Sequence, residues 1–193
     1  MKEKPILFNT QMVQAILAGN KTQTRRIADF IVPEGTFIAR YSAFKDRNYA
    51  IKRQIDHDPI FYEVVQTVKS KYEIGDILWV RETVVIFKNV ESYFAYKADG
   101  NYVGNELKWT PSIHMPRSAA RIFLEVTNVR VERLKEISAI DIKCEGILPD
   151  MRTDHPRGPH YTAFISLWES INGKGCWNDN PWVWVYEFEK VKP

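Results

Sequence analysis

The chain has 193 residues, 45% of them apolar and 26% charged, with a net charge of +3. That length suits one domain, able to hide roughly 70% of its unfolded surface in a core, and the composition excludes wholesale disorder, collagen and coiled coil. No apolar run approaches the ~18 residues that span a bilayer, no signal-peptide pattern follows the start, and two cysteines, Cys144 and Cys176, make no disulfide framework; the expectation is a cytoplasmic protein with no membrane partner and with both thiols packed as small hydrophobes.

Pro5 to Phe8 is an apolar strand candidate. Asn9 or Thr10 caps a helix that carries Met12, Val13, Ile16 and Leu17 at helical spacing, and Gly19 stops it. The polar, basic run Lys21-Thr22-Gln23-Thr24-Arg25-Arg26 follows directly. Residues 28–72 mix charges and aromatics with weak alternation, punctuated by Pro33 and Gly35. They read as a peripheral insertion with one strand, Thr36 to Tyr41. Gly75-Asp76 turns the chain into a short buried strand, Ile77 to Val80. Tyr93 to Lys97 is a further strand, ended by Asp99-Gly100. Ile122 to Val131 alternates best and predicts a long hairpin arm or barrel stave. Ser138 and Asp141 have capping-box spacing and open a helix through Ile142 that stops near Gly146. Residues 147–160 read as loop. Tyr161 to Ile171 reads as a helix with Phe164, Leu167, Trp168 and Ile171 on one face, ended by Asn172-Gly173. Trp182 to Phe188 is the closing strand. Short strands that do not alternate regularly with helices point to an α+β fold in one domain over 1–193. A small mixed or antiparallel barrel with helices on its rim fits this order better than a doubly wound sheet.

Charge is unevenly placed. Residues 1–53 hold ten Lys/Arg against four Asp/Glu, and the remainder seventeen against twenty. A basic end suits a polyanionic or phosphate-bearing partner, although a solvated basic face explains it equally well. Lys21 and Thr24 lie three apart after a glycine, so a turn can bring amine and hydroxyl together. A lysine acts as a base only when burial or a neighbouring cation lowers its pKa, and Arg26 is placed to be that cation or to hold a phosphate or carbonyl. Glu82, beside Arg81 at a strand end, is a candidate carboxylate or a structural ion pair. Arg117, after His114-Met115-Pro116, reads as a phosphate or base contact, with packing by His114 as the alternative. Trp79, Trp182 and Trp184 read as core, and Trp109 and Trp177 as candidates for stacking on a base. His155 and His160 sit five apart in a proline-rich loop, and no metal-ligand spacing, Walker loop or dinucleotide fingerprint occurs, so neither metal nor cofactor is implied. Cys144 lacks an identifiable histidine partner and reads as packing.

Gly19, Lys21, Thr24 and Arg26 fill the four fixed positions of the G-x-K-x-x-T-x-R motif, and in this run the chain resembles the ASCH-domain family, whose fold is a PUA-like β-barrel. Residues 75–83 (GDILWVRET), 109–117 (WTPSIHMPR) and 180–185 (NPWVWV) resemble further family segments, the last two those of a phage and prophage branch. The resemblance covers most of the chain and is weakest over 28–72. It implies a PUA-like barrel with rim helices and an insertion at 28–72. It also implies one of two kinds of function. Some small members are amidohydrolases that convert N4-acetylcytidine to cytidine and acetate with a lysine, a threonine and a glutamate. Others are ribonucleases or RNA-binding modules. Carried over, the catalytic residues are Lys21, Thr24 and Glu145, with Glu82 as the competing carboxylate. Arg26, Glu82, Arg117 and Trp109 are the substrate-binding candidates. The expected partner is a nucleoside or nucleic acid, RNA ahead of DNA. Oligomeric state is left open.

Overall fold

The structure is a computed structural model that describes residues 2–40, 49–55, 62–87, 93–100, 107–149 and 156–192. It is a mixed α+β arrangement, mostly antiparallel strands with few helices. Strand β1 (Glu3–Leu7) leads into helix α1 (Thr10–Leu17), and β2 (Gln23–Ile27) follows. Asn9 caps α1 through its side chain, which accepts from the Met12 N–H at 2.8 Å. Three strands then form a separate antiparallel sheet: β3 (Thr36–Arg40), β4 (Tyr49–Gln54) and β5 (Tyr62–Val68). After β6 (Ile77–Arg81) comes the two-stranded ribbon of β7 (Val84–Phe87) and β8 (Tyr93–Tyr96). The chain closes with β9 (Phe123–Arg133), α2 (Ala139–Cys144), α3 (Pro159–Asn172) and β10 (Trp182–Val191).

The main sheet runs β1-β6-β9-β10-β2, with β1 and β6 parallel and the other pairs antiparallel. Among the described residues it does not close into a barrel, because β1 and β2 remain its edges. It does curl until one side chain reaches across: Arg26 on β2 donates Nη2–H to the Leu7 carbonyl on β1 at 2.7 Å.

Strand β10 explains how the layers stack. Its register places Trp184, Tyr186 and Phe188 in the main core with Ile6, Phe8 and Leu124, while Val183 and Val185 join a second core with Ile142, Phe164 and Trp168. A strand buried on both faces reads as an unbroken apolar run, as this one does. Helices α2 and α3 cover one face of the sheet; the other face meets the three-stranded sheet.

Residues 28–72 therefore differ from the single peripheral strand that their sequence predicts. They supply three strands, and Tyr49, Ile51, Val68 and Tyr72 enter the main core. The Tyr49 hydroxyl donates to the Val129 carbonyl at 2.6 Å. Tyr41, the expected end of the first of these strands, lies outside the described residues. Helix α3 starts at Pro159 rather than Tyr161, since proline suits the first helical turn. Trp184 is core, but Trp79 and Trp182 are half-buried, with the guanidinium groups of Arg81 and Arg133 over their rings. His114 does not pack: it is exposed, and Met115 is the buried residue there.

Candidate active site

The turn after α1 sets the site. Gly19 adopts φ +77, and the Asn20 and Lys21 N–H groups both donate to the Ala15 carbonyl, at 2.8 and 3.1 Å. This wraps the chain around the helix end and sends the Lys21 side chain inward. From the other side comes the C-terminus of α2. Ser138 and Asp141 form the capping box that starts this helix, and Glu145 is its C-cap. The two segments meet as a short antiparallel bridge between Lys21 and Glu145, with the Thr22 N–H donating to the Cys144 carbonyl at 2.8 Å. Gly146 permits the approach: a Cβ there would lie 2.7 Å from the Ala15 Cβ and 2.8 Å from the Lys21 Cβ.

The Lys21 side chain is 0% exposed and that of Glu145 6%. Lys21 Nζ donates to Glu145 Oε2 at 2.7 Å, to the Glu145 carbonyl at 3.0 Å and to the Gln23 carbonyl at 2.8 Å. Three acceptors thus surround Nζ, as many as the N–H groups of an ammonium. Burial pulls the Lys21 pKa down, the Glu145 charge opposes that, and Arg26 and Arg25 add to the lowering.

Glu145 is held twice, since its Oε1 accepts from Arg25 Nη1 at 3.0 Å. Arg25 in turn bonds Glu132 Oε1 at 3.0 and 2.6 Å. Arg130 bonds Glu132 at 3.0 Å and Asp141 at 2.8 Å and also pairs with Glu187. Gln23 donates to the Asp141 carboxylate at 3.0 Å. Burial raises the Asp141 pKa, yet hydrogen bonds from Ser138 and Gln23 and the charge of Arg25 hold it at about 2. A chain of alternating charges thus ties Lys21 to the middle of the main sheet.

Side chains alternate along β2. Gln23 and Arg25 face this polar network. Thr24 and Arg26 face the other way, opposite Tyr186 and Trp184 in register. Lys21 lies just before β2, where it bridges to Glu145. Thr24 and Glu145 line one small cavity of about 50 Å³ with Arg25 and Arg26, large enough for a few waters or a small acyl group. The Thr24 hydroxyl takes no hydrogen-bond partner among the described residues. Glu145 also lines a larger cavity of about 490 Å³ with Gln14, Asn20 and Ile147. Arg26 also lines one of about 540 Å³ with Tyr72, Trp184 and Tyr186. Both are of small-molecule size.

The other sequence candidates lie apart from this group. Glu82 is 1% exposed, and both its oxygens accept from Arg121, at 2.8 and 3.0 Å. It is an internal ion pair. Arg117 sits on the surface, bonded to Glu3 at 2.9 and 3.0 Å with its guanidinium 4.5 Å from the Phe123 ring centroid. Trp109 is half-buried beside Thr110, whose backbone pairs with Val84, and it lines none of the three cavities. Trp177 packs edge-on against Phe164. His155 lies outside the described residues, and His160 Nδ1 sits 3.3 Å from the Ile147 carbonyl. Among the described residues no group of His, Cys, Asp or Glu is arranged to hold a metal ion, and no helix is long and apolar enough to cross a membrane.

Sequence reasoning missed Arg25, Glu132 and Asp141 as partners of the pair. A period of two from Lys21 would have selected Arg25; Glu132 carries no local signal, and the capping-box spacing of Asp141 points only to the helix start. Compared with protein-family models, with curated proteins and with solved structures, the chain matches none.

Proposed function

We propose that the protein hydrolyses a modified nucleoside or nucleobase, with the amide of N4-acetylcytidine or a related N-acylated cytidine as substrate. In the same reading its curled five-stranded sheet is an opened PUA-like barrel of the ASCH type. The observation that carries the proposal is the sealed Lys21–Glu145 pair, made by residues 124 positions apart, next to a small cavity that Thr24 lines, its hydroxyl without a hydrogen-bond partner among the described residues.

With the pair starting as ammonium and carboxylate, the reaction begins within it. Lys21 passes a proton to Glu145 Oε2 along the 2.7 Å contact. The neutral amine then accepts the proton of the Thr24 hydroxyl, or of a water, as that oxygen bonds to the acetyl carbon. Arg26, on the same cavity wall, faces the developing oxyanion. Protonated Glu145 gives its proton to N4 as the C–N bond breaks, releasing cytidine. With Thr24 as nucleophile, a water then frees acetate by the same relay; with water as nucleophile, acetate forms directly.

A binding module without chemistry is the second reading. It is favoured by the saturated donors of Lys21, which a purely structural pair would also show. Incubation of the purified chain with N4-acetylcytidine, following cytidine by chromatography, separates the two. Release by wild type and not by folded Lys21→Ala is expected. No release by folded wild type would overturn the hydrolase and leave the binder.

A further inference from the structure

Arg26 carries a charge that the fold leaves unanswered. Its Nη2 donates to the Leu7 carbonyl at 2.7 Å and its guanidinium lies 5.5 Å from the Phe8 ring centroid, but among the described residues no carboxylate pairs with it. Burial presses against the charge and pushes its pKa down, with Glu145 opposing. Arg25 and Arg130 on the same sheet each hold two or more carboxylates. A partly desolvated cation with no carboxylate bonded to it is costly to keep unless an anion completes it.

The cavity on which Arg26 opens has the composition for such an anion. Its volume is about 540 Å³, and its wall adds Lys69, Ser70 and Lys71, with Asp29 as the lone carboxylate. Three cations against one anion give a positive recess, and a guanidinium with free N–H groups suits phosphate oxygens. Tyr72, Trp184 and Tyr186 form the floor, already packed edge-on: Tyr72 against Tyr186 at 4.9 Å and Trp184 against Tyr49 at 5.3 Å. The floor therefore gives shape and no free stacking face. On its other side Arg26 lines the small cavity with Thr24 and Glu145.

We propose that this cavity binds the phosphate of a nucleotide through Arg26, Lys69 and Lys71, so that the protein takes its base attached to phosphate. The link to an acylated base rests on the hydrolase reading above; the anion site rests on charge and shape alone.

The test is calorimetric titration of the full chain with cytidine, cytidine 5′-monophosphate and a cytidine trinucleotide, in low and high salt. Expected is binding of the monophosphate about tenfold or more tighter than cytidine, a gap that narrows with salt and closes in folded Lys69→Ala/Lys71→Ala. Equal binding of nucleoside and nucleotides would overturn the site, as would a gap that persists unchanged in the double variant. A tighter trinucleotide places the phosphate in a chain, and equal affinities place it at a terminus; both keep the site. Acetylcytidine hydrolysis, run in parallel, is scored separately. Hydrolysis without a nucleotide preference removes the site and keeps the enzyme. A nucleotide preference without hydrolysis does the reverse.

Discussion

Glu145 answers two cations and Lys21 only one carboxylate, so the two halves of the pair are not equivalent. Lys21→Met removes one cation and leaves Glu145 bonded to Arg25. Glu145→Gln leaves Lys21 without a carboxylate in a dry site, while Arg25 keeps Glu132. Breaking a buried pair costs about 3–5 kcal/mol when an unpaired ion remains. The glutamine variant should fall in that range and the methionine variant below it, by urea unfolding. The reverse order would mean that Arg25 does not hold Glu145. At this scale a sequence motif singles out Lys21 and Thr24. The sequence marks Arg25 only through a strand period of two counted from Lys21. Glu82 and Arg117 are each paired with an opposite charge distant in sequence, Arg121 and Glu3.

Among the elements, the turn after α2 and the cap before it do most to position Glu145. Gly19 and Gly146 share φ +77, but a Cβ at Gly19 would meet nothing within 4 Å, while one at Gly146 would strike Ala15 and Lys21. Gly19→Ala should cost roughly 1 kcal/mol for its left-handed backbone. Gly146→Ala should add about 1–3 kcal/mol of overpacking and displace Lys21 from its carboxylate. Thermal unfolding of the two variants, with acetylcytidine hydrolysis alongside, checks both parts. At the other end of α2, Ser138→Ala removes the cap and should cost about 1 kcal/mol at neutral pH. It also removes a bond that holds the Asp141 carboxyl down. That carboxyl sits at about 2 in the fold against an ordinary 3.8. A lowered carboxyl contributes stability above its unfolded value and loses it as pH falls through the folded one. The gap between wild type and Ser138→Ala should therefore be widest above about pH 4 and narrow towards pH 2. A gap that stays constant across that window would show that Ser138 acts on the helix backbone alone. The cap was legible from the three-residue spacing, since it is a local feature; the helix's contact with β2 was not.

Across the whole molecule, the legible parts are those whose burial follows one period. Strand β9 alternates, and its pattern predicts Ile122 to Val131, within two residues of the observed ends; α1 follows from its four apolar positions. The three-stranded sheet breaks that rule. Tyr49, Ala50 and Ile51 are buried in succession on β4, and β5 is exposed at every residue from Tyr62 to Thr67. Neither pattern alternates, so period alone hides both strands; only their pairing and the core they share reveal them. The same packing makes a prediction about cooperativity. Ile51 is 0% exposed, and β4 meets the main sheet through the Tyr49–Trp184 ring contact and the Tyr49–Val129 hydrogen bond. If residues 28–72 fold as part of the main core, Ile51→Ala should lower the stability of the entire chain by about 2–5 kcal/mol. Tryptophan fluorescence, which includes Trp184 in the main sheet, and far-ultraviolet circular dichroism should then shift together along the urea axis as one transition. An early transition in dichroism with fluorescence unmoved would instead show that the three strands open on their own, and that Trp184 keeps its place in the main core without them.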